Sequence, residues 1–205
     1  AVAIVDPELM YSMPKGLTAA TGMDALTHAI ESYITPGAWV MSDMFELKAI
    51  EMIAQNLKAA VDNGKDVAAR EAMSQAQYIA GMGFSNVGLG IVHSMAHPLG
   101  AFYDTPHGVA NALLLPYVME YNAESPAAPK YIHTGMSEAE GVKAAVEAVK
   151  ALSASINIPQ KLHEINVKEE DIPALAVAAF NDVCTGGNPR PTSVADIEAL
   201  YRKAF

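Results

Sequence analysis

Apolar residues recur at steps of three and four along most of the chain, which is the spacing of one face of an α-helix. The clearest run predicts a helix from Asp43 to about Asp62, and a second run predicts one from about Asp66 to Met82. The apolar face of the first helix would be formed by Leu47, Ile50, Ala54, Leu57 and Val61. Strand-like alternation is scarce outside residues 2–5. The pattern predicts a mainly α fold without an internal repeat.

Four short motifs predict where helices begin. A Ser, Thr or Asp side chain at a helix start accepts a hydrogen bond from a backbone N–H that the helix itself leaves unpaired. Proline is favoured in the first turn because it has no N–H to satisfy. The motifs are Thr21 with Asp24, Ser137 with Glu140, Ser193 with Asp196, and Asp171 with Pro173, the last opening a helix through Asp182.

Composition narrows the class of protein. The chain has 205 residues, 51% of them hydrophobic and 18% charged, which suits one domain with a substantial core. A formal net charge of −10 argues against a nucleic-acid partner, which would require a basic surface. No stretch reaches the roughly 18 apolar residues expected of a membrane span. Cys184 is the only cysteine, which excludes an intrachain disulfide and fits a reducing, cytoplasmic location.

The first residues, "AVAIVDPEL", have no basic region and no initiator methionine, and they are interrupted by Asp6 and Pro7. This segment is not typical of a signal peptide. It resembles a short strand that arrives from an upstream domain. We therefore expect residues 1–14 to be a strand and linker, and residues 15–205 to be a helical domain.

Three of the six histidines lie in the segment 92–108, "VHSMAHPLGAFYDTPHG". His93 and His97 are four residues apart and would share one helix face, as would Asp24 and His28; His107 follows a short turn. One carboxylate and three imidazoles suit a divalent first-row metal that acts as a Lewis acid. Helical histidine pairs are also common without a metal, so spacing alone leaves both interpretations open.

Two other known motifs match this sequence only in part. His93 and His97 have the spacing of the zincin protease motif, but Ser94 stands where that motif needs a glutamate base. The glycines of "GMGFSN" resemble a dinucleotide fingerprint, but the motif ends in Asn86, and the preceding residues predict a helix where a strand is required. These glycines are better explained by close helix packing and by a break between helices.

Two long segments resemble the iron-containing (group III) alcohol dehydrogenases: "ELMYSMPKGLTAATGMDALTHAIESYI" and "GMGFSNVGLGIVHSMAHPLGAFYDTPHGVANALLLPYV". A third, "IPALAVAAFNDVCTGGNPR", is similar to the family's C-terminal end. The family has a dehydroquinate-synthase-like fold of two domains, an N-terminal α/β nucleotide domain and a helical metal domain. The resemblance implies that this chain is the second domain alone. It also implies additional residues near His133 and Thr134, because the family usually has a longer segment there.

Residue by residue, the resemblance implies that the metal ligands are Asp24, His28, His93 and His107. It places His97 beside the metal, near the nicotinamide, without making it a ligand. The expected ion is Fe²⁺, with Zn²⁺ in some relatives, and the expected cofactor is NAD or NADP. Phe84 and Cys184 are candidates for the substrate pocket.

The expected reaction is the interconversion of a small primary alcohol or diol and its aldehyde. The metal polarises the oxygen, and His97 carries the proton between the substrate and solvent. A homodimer is a further expectation from the family. Two alternatives stay open: a zinc polyol dehydrogenase of the glycerol type, and a helical metal-binding module without catalysis.

Overall fold

The computed structural model describes residues 2–131 and 135–205, and this part of the chain is mainly helical. The predicted α class is confirmed. Eight helices form it: α1 (Lys15–Ile34), α2 (Val40–Asp62), α3 (Val67–Val87), α4 (Ile91–Tyr103), α5 (His107–Asn122), α6 (Glu138–Ser155), α7 (Ile172–Phe180) and α8 (Val194–Ala204). Short 3₁₀ turns lie at Pro7–Met10, Ala128–Tyr131, Leu162–Ile165, Glu169–Asp171 and Thr185–Gly187.

Helix α1 is central to the packing. It contacts α2, α3 and α5, while α4 packs between α5 and α7, and α8 closes against α7. One continuous apolar core joins these helices, and it includes the fully buried Met23, Leu57, Met95 and Leu114. Each such side chain contributes about 1.5–3 kcal/mol when it is removed from water. This core fixes the spacing between the polar faces of α1, α4 and α5.

A glycine sets the closest approach between α1 and α5. A Cβ atom at Gly108 would collide with the backbone of Ala20, so only glycine allows the two helices to come this near. The turn before α5 is equally tight, because Asp104 adopts the left-handed conformation with φ of 52°. Together these features place the first turn of α5 against the middle of α1.

The predicted helix starts at Ser137 and Ser193 are confirmed. Each serine forms a capping box with the acidic residue three positions later. Asp171 also precedes α7 and Pro173 lies in the first turn, but the Asp171 side chain makes no cap. It accepts a hydrogen bond from the Tyr103 hydroxyl instead.

The predicted start at Thr21 is wrong. Helix α1 begins at Lys15, after Pro14, and it has no side-chain cap at its N-terminus. The Thr21 hydroxyl donates to the carbonyl oxygen of Leu17 at 2.8 Å, a bond that threonine makes inside a helix. A threonine followed by an acidic residue therefore did not mark a terminus here.

Other predicted boundaries differ by a few residues. Helix α2 starts three residues before Asp43, and α3 continues five residues past Met82 to Val87, where Gly88 with φ of 85° ends it. Helix α7 ends at Phe180, two residues before the predicted end at Asp182. Termini depend on local caps, so they are the least predictable part of a helix.

The N-terminal segment has little regular structure. Residues 2–6 form no strand, and Pro7–Met10 form a 3₁₀ turn capped by the Asp6 side chain. A strand needs a partner for its backbone groups. The strand and the domain boundary at residue 14 therefore stay predictions. The predicted gap near His133 and Thr134 falls outside the described residues.

Among the residues described, we find no helix that has both the length and the apolar character needed to span a bilayer.

Candidate metal centre

The middle of α1 contributes three polar side chains to one face: Asp24, His28 and Glu31. Their spacing of four and three residues aligns them along the helix. The Nδ1 atom of His28 lies 2.9 Å from the backbone carbonyl oxygen of Asp24. Because a carbonyl oxygen only accepts, Nδ1 carries the hydrogen and Nε2 keeps a free lone pair. The ring of Phe84 stacks on His28 with 4.5 Å between ring centroids.

The start of α4 places His93 opposite this face. Its side chain is 2% exposed, and its Nδ1 atom lies 2.5 Å from Oε2 of Glu31. The other oxygen of Glu31 accepts the backbone N–H of Val92 at 2.7 Å. His93 therefore points Nε2 toward Asp24, at 3.8 Å from Oδ1.

The first residue of α5 completes the group. Nε2 of His107 lies 3.5 Å from Oδ1 of Asp24, and its ring centroid lies 5.3 Å from that of His93. His107 is 43% exposed, whereas His93 is buried. One side of the cluster is therefore open to solvent.

Asn111, one turn after His107, contacts three candidate ligands through its side-chain nitrogen. Its Nδ2 atom lies 2.6 Å from Oδ1 of Asp24, 3.1 Å from Nε2 of His93 and 3.0 Å from Nε2 of His107. An amide nitrogen has two hydrogens, so it cannot serve three acceptors. The buried Oδ1 of Asn111 has no hydrogen-bond partner among the described residues. Lone pairs converging without enough hydrogens are the donor set that a cation fits.

Burial favours the neutral form of two imidazoles in the cluster, those of His28 and His107. Burial lowers the pKa of His28, and the neighbouring His93 lowers it further against the opposing effect of Asp24. Burial also lowers the pKa of His107. A neutral imidazole has the lone pair that a metal requires. Asp24, His28 and His93 bring their ligand atoms within 4.8 Å of one another.

His97 forms a separate cluster one turn along α4. Its Nδ1 atom lies 2.7 Å from Oδ2 of Asp182, and its side chain is 41% exposed. Its ring lies 5.4 Å from the ring of His107 and 6.2 Å from that of His93. It lies beside the Asp24 group, and with Asp182 and Cys184 it forms a second group whose potential ligand atoms lie within 4.8 Å of one another.

Cys184 belongs to the His97 cluster. Its backbone N–H donates to Oδ1 of Asp182 at 2.9 Å. Burial and the negative Asp182 raise the pKa of the Cys184 thiol to about 12. The sulfur therefore stays protonated at neutral pH and is a poor nucleophile.

Phe84 lies on the other side of the site, in the wall of a cavity of about 440 Å³ between α1 and α3. Asp24 and His28 reach the same cavity. The pocket roles of Phe84 and Cys184 stay predictions, because the two residues lie on different sides of the histidines.

Sequence reasoning missed three residues that contact the histidines: Glu31, Asn111 and Asp182. Two of them had a local signal. Glu31 is three residues after His28, and Asn111 is four after His107, so each shares a helix face with a candidate ligand. Asp182 had none, because 85 residues separate it from His97.

A helical domain with a carboxylate–histidine cluster is typical of metal-binding domains, and comparison with known proteins identifies the family. Residues 18–205 match the model of the Fe-containing alcohol dehydrogenase family, C-terminal. The chain belongs to the iron-containing alcohol dehydrogenase family.

Individual relatives agree with this. The chain is 56% identical to lactaldehyde reductase of Escherichia coli (strain K12), across all of this chain and 55% of that protein. It is 44% identical to the NAD-dependent methanol dehydrogenase of Bacillus methanolicus, again across all of this chain and 56% of that protein. A solved alcohol dehydrogenase from Oenococcus oeni superposes with a TM-score of 0.93 at 40% identity, covering 98% of this chain and 54% of its own. The chain spans about half the length of the curated relatives it matches.

Proposed function

We propose that this chain is the metal-binding half of an oxidoreductase that interconverts a small primary alcohol or diol and its aldehyde with NAD or NADP. The observation that carries the proposal is the convergence of Oδ1 of Asp24 and the Nε2 atoms of His93 and His107 on a single amide nitrogen. Family membership and the names of the relatives, a lactaldehyde reductase and an NAD-dependent methanol dehydrogenase, support the reaction class.

Asp24, His28, His93 and His107 would hold the metal. The family description favours Fe²⁺. Zn²⁺ is the alternative, since imidazole and carboxylate suit both ions. A divalent ion with one carboxylate ligand keeps a net positive charge and supplies a Lewis acid for an alcohol or carbonyl oxygen.

The chain's own residues perform the remaining tasks. Asp182 accepts the Nδ1 hydrogen of His97, so Nε2 is the ring nitrogen that takes or gives a proton. Partial exposure of His97 lets that proton exchange with water. Phe84 stacks on His28 and covers one face of that ring.

The cofactor and cellular setting complete the proposal. NAD is supported by the name of the methanol dehydrogenase relative, and NADP is the alternative. A single cysteine with a protonated thiol fits a reducing cytoplasm. A homodimer follows from the resemblance to the family.

The test is metal analysis and activity measurement on the intact protein, purified without air. We expect one equivalent of iron or zinc per chain and oxidation of ethanol, 1,2-propanediol or 1,3-propanediol that requires NAD or NADP. Removing the metal with a chelator should abolish the activity, and restoring it should recover the rate. His163, whose Nδ1 donates to the carbonyl oxygen of Phe205 at 2.7 Å and which lies outside the cluster, gives the control: His163→Ala should keep the metal. Full activity in metal-free protein would refute the proposal.

A further inference from the structure

We infer that Glu31 is a positioning residue for the proposed metal centre, because it fixes which nitrogen of His93 faces Asp24. The inference rests on the proposed function and adds to it a carboxylate that is not one of the four ligands.

Both oxygens of Glu31 are committed to α4. Oε2 lies 2.5 Å from Nδ1 of His93, and Oε1 accepts the backbone N–H of Val92 at 2.7 Å. The side chain is 3% exposed, so water cannot replace either partner. A Cβ atom at Gly90 would lie 2.8 Å from Oε1, which means that the chain leaves room for this carboxylate at the start of α4.

The consequence falls on His93. A carboxylate only accepts hydrogen bonds, so Nδ1 of His93 must carry the hydrogen and Nε2 must carry the lone pair. That lone pair is directed at the acceptor cluster, where Nε2 lies 3.8 Å from Oδ1 of Asp24. A carboxylate behind a histidine in this way orients the ring and raises its basicity as a ligand.

Replacement by glutamine separates this role from simple packing. Glutamine has the size of glutamate, but it has one accepting oxygen and one donating nitrogen. If the oxygen keeps the Val92 N–H, the amide nitrogen faces His93, and Nδ1 must become an acceptor. The hydrogen then moves to Nε2, which removes the lone pair that a metal needs. If the amide is flipped, two donors meet at Val92.

The experiment compares wild type with Glu31→Gln in the intact protein. Affinity for Fe²⁺ or Zn²⁺ is measured by chelator competition, and the tautomer of His93 is measured by NMR of metal-free protein with ¹⁵N-labelled histidine. We expect a 10–100-fold loss of metal affinity and a shift of the His93 hydrogen from Nδ1 to Nε2. Glu46→Gln is the matched control, because Glu46 is a buried carboxyl on the neighbouring helix α2 and is not part of the cluster; its metal affinity should be unchanged.

Unchanged metal affinity in Glu31→Gln, when wild type binds metal, would overturn the inference. The wild-type spectrum gives a second test that needs no variant: a His93 with its hydrogen on Nε2 would also overturn it. If wild type binds no metal at all, the proposed function fails, and the spectrum still decides whether Glu31 sets the tautomer.

Discussion

Two carboxylate–histidine pairs lie one turn apart on α4, and they differ mainly in their exposure. Glu31 and His93 are 3% and 2% exposed, whereas Asp182 and His97 are 17% and 41% exposed. In both pairs the carboxylate holds Nδ1 of the ring at hydrogen-bond distance. We therefore expect the same contact to serve two tasks: burial would fix His93 in one state for metal binding, while contact with water would let His97 exchange a proton.

The largest expected effect comes from breaking the buried pair at its histidine. His93→Ala removes a proposed metal ligand from the cluster, and we expect that the remaining groups cannot replace it. We expect loss of bound metal and a fall in turnover of roughly 10⁴-fold, which corresponds to several kcal/mol of lost Lewis-acid stabilisation. Metal analysis and steady-state kinetics measure both effects. A variant with normal metal content would remove His93 from the ligand set.

The exposed pair should behave differently. His97→Ala is expected to keep the metal and to lower kcat by roughly 10²-fold, the size of a lost general acid–base contribution. The pH profile of kcat should flatten as well, because the titrating imidazole is gone. Loss of stoichiometric metal in this variant would show that His97 is a ligand and that the two pairs share one role.

Glu46 is a third case to set beside these two pairs, because it is a buried carboxyl group with no histidine partner among the described residues. Both of its oxygens lack hydrogen-bond partners among the described residues. Burial raises the pKa of Glu46 to about 8. The nearby Ser32 hydroxyl lowers this pKa and the negative Asp43 raises it, but both effects are smaller than that of burial. The folded protein therefore holds a proton that the unfolded chain loses from about pH 4.5 upward.

The raised pKa of Glu46 makes the stability of the wild-type protein depend on pH. Wild type should lose stability as the pH rises from about 4.5 through 8, and the loss should level off above that pH. Glu46→Gln is neutral at every pH, so its advantage over wild type should grow across this window by roughly 5 kcal/mol, because each unit of pKa shift corresponds to about 1.4 kcal/mol. Urea denaturation at pH 5, 7 and 9 checks this. An advantage that is constant with pH would contradict the raised pKa of Glu46.

The smallest expected effect comes from the carboxylate of the exposed pair. Partial burial favours the neutral acid, but the backbone N–H of Cys184 and the His97 ring outweigh it and lower the pKa of Asp182. Asp182→Asn weakens the hold on His97, yet water can take over at this exposed site. We expect a loss in kcat of about tenfold with the metal retained. A loss as large as that of His97→Ala would mean that orientation alone accounts for the role of His97.

Periodicity and capping predicted most of the fold. The runs of apolar residues located α2 and α3, and Ser137 and Ser193 marked α6 and α8 correctly. Thr21 misled because its hydroxyl bonds back to Leu17 within α1. Such a bond depends on a helix that has already started, and the local sequence gives no sign of that.

The candidate site was predictable in its residue types but not in its assembly. Helical spacing paired His93 with His97, whereas the structure places Nε2 of His93 beside Asp24 and joins His97 to Asp182. That division depends on how α4 packs between α5 and α7, which tertiary packing decides. The contact between Glu31 and His93 spans 62 residues, so local patterns could not reveal it.

The central claim is that Asp24, His28, His93 and His107 bind one divalent metal while His97 stays free. Anomalous diffraction from crystals of the intact, anaerobically purified protein, recorded at the iron and zinc absorption edges, tests it most directly. We expect a single peak within about 2.0–2.2 Å of one oxygen of Asp24 and one nitrogen of each of the three histidines. A peak bound to His97, or no peak between these four side chains in protein that contains stoichiometric metal, would contradict the account.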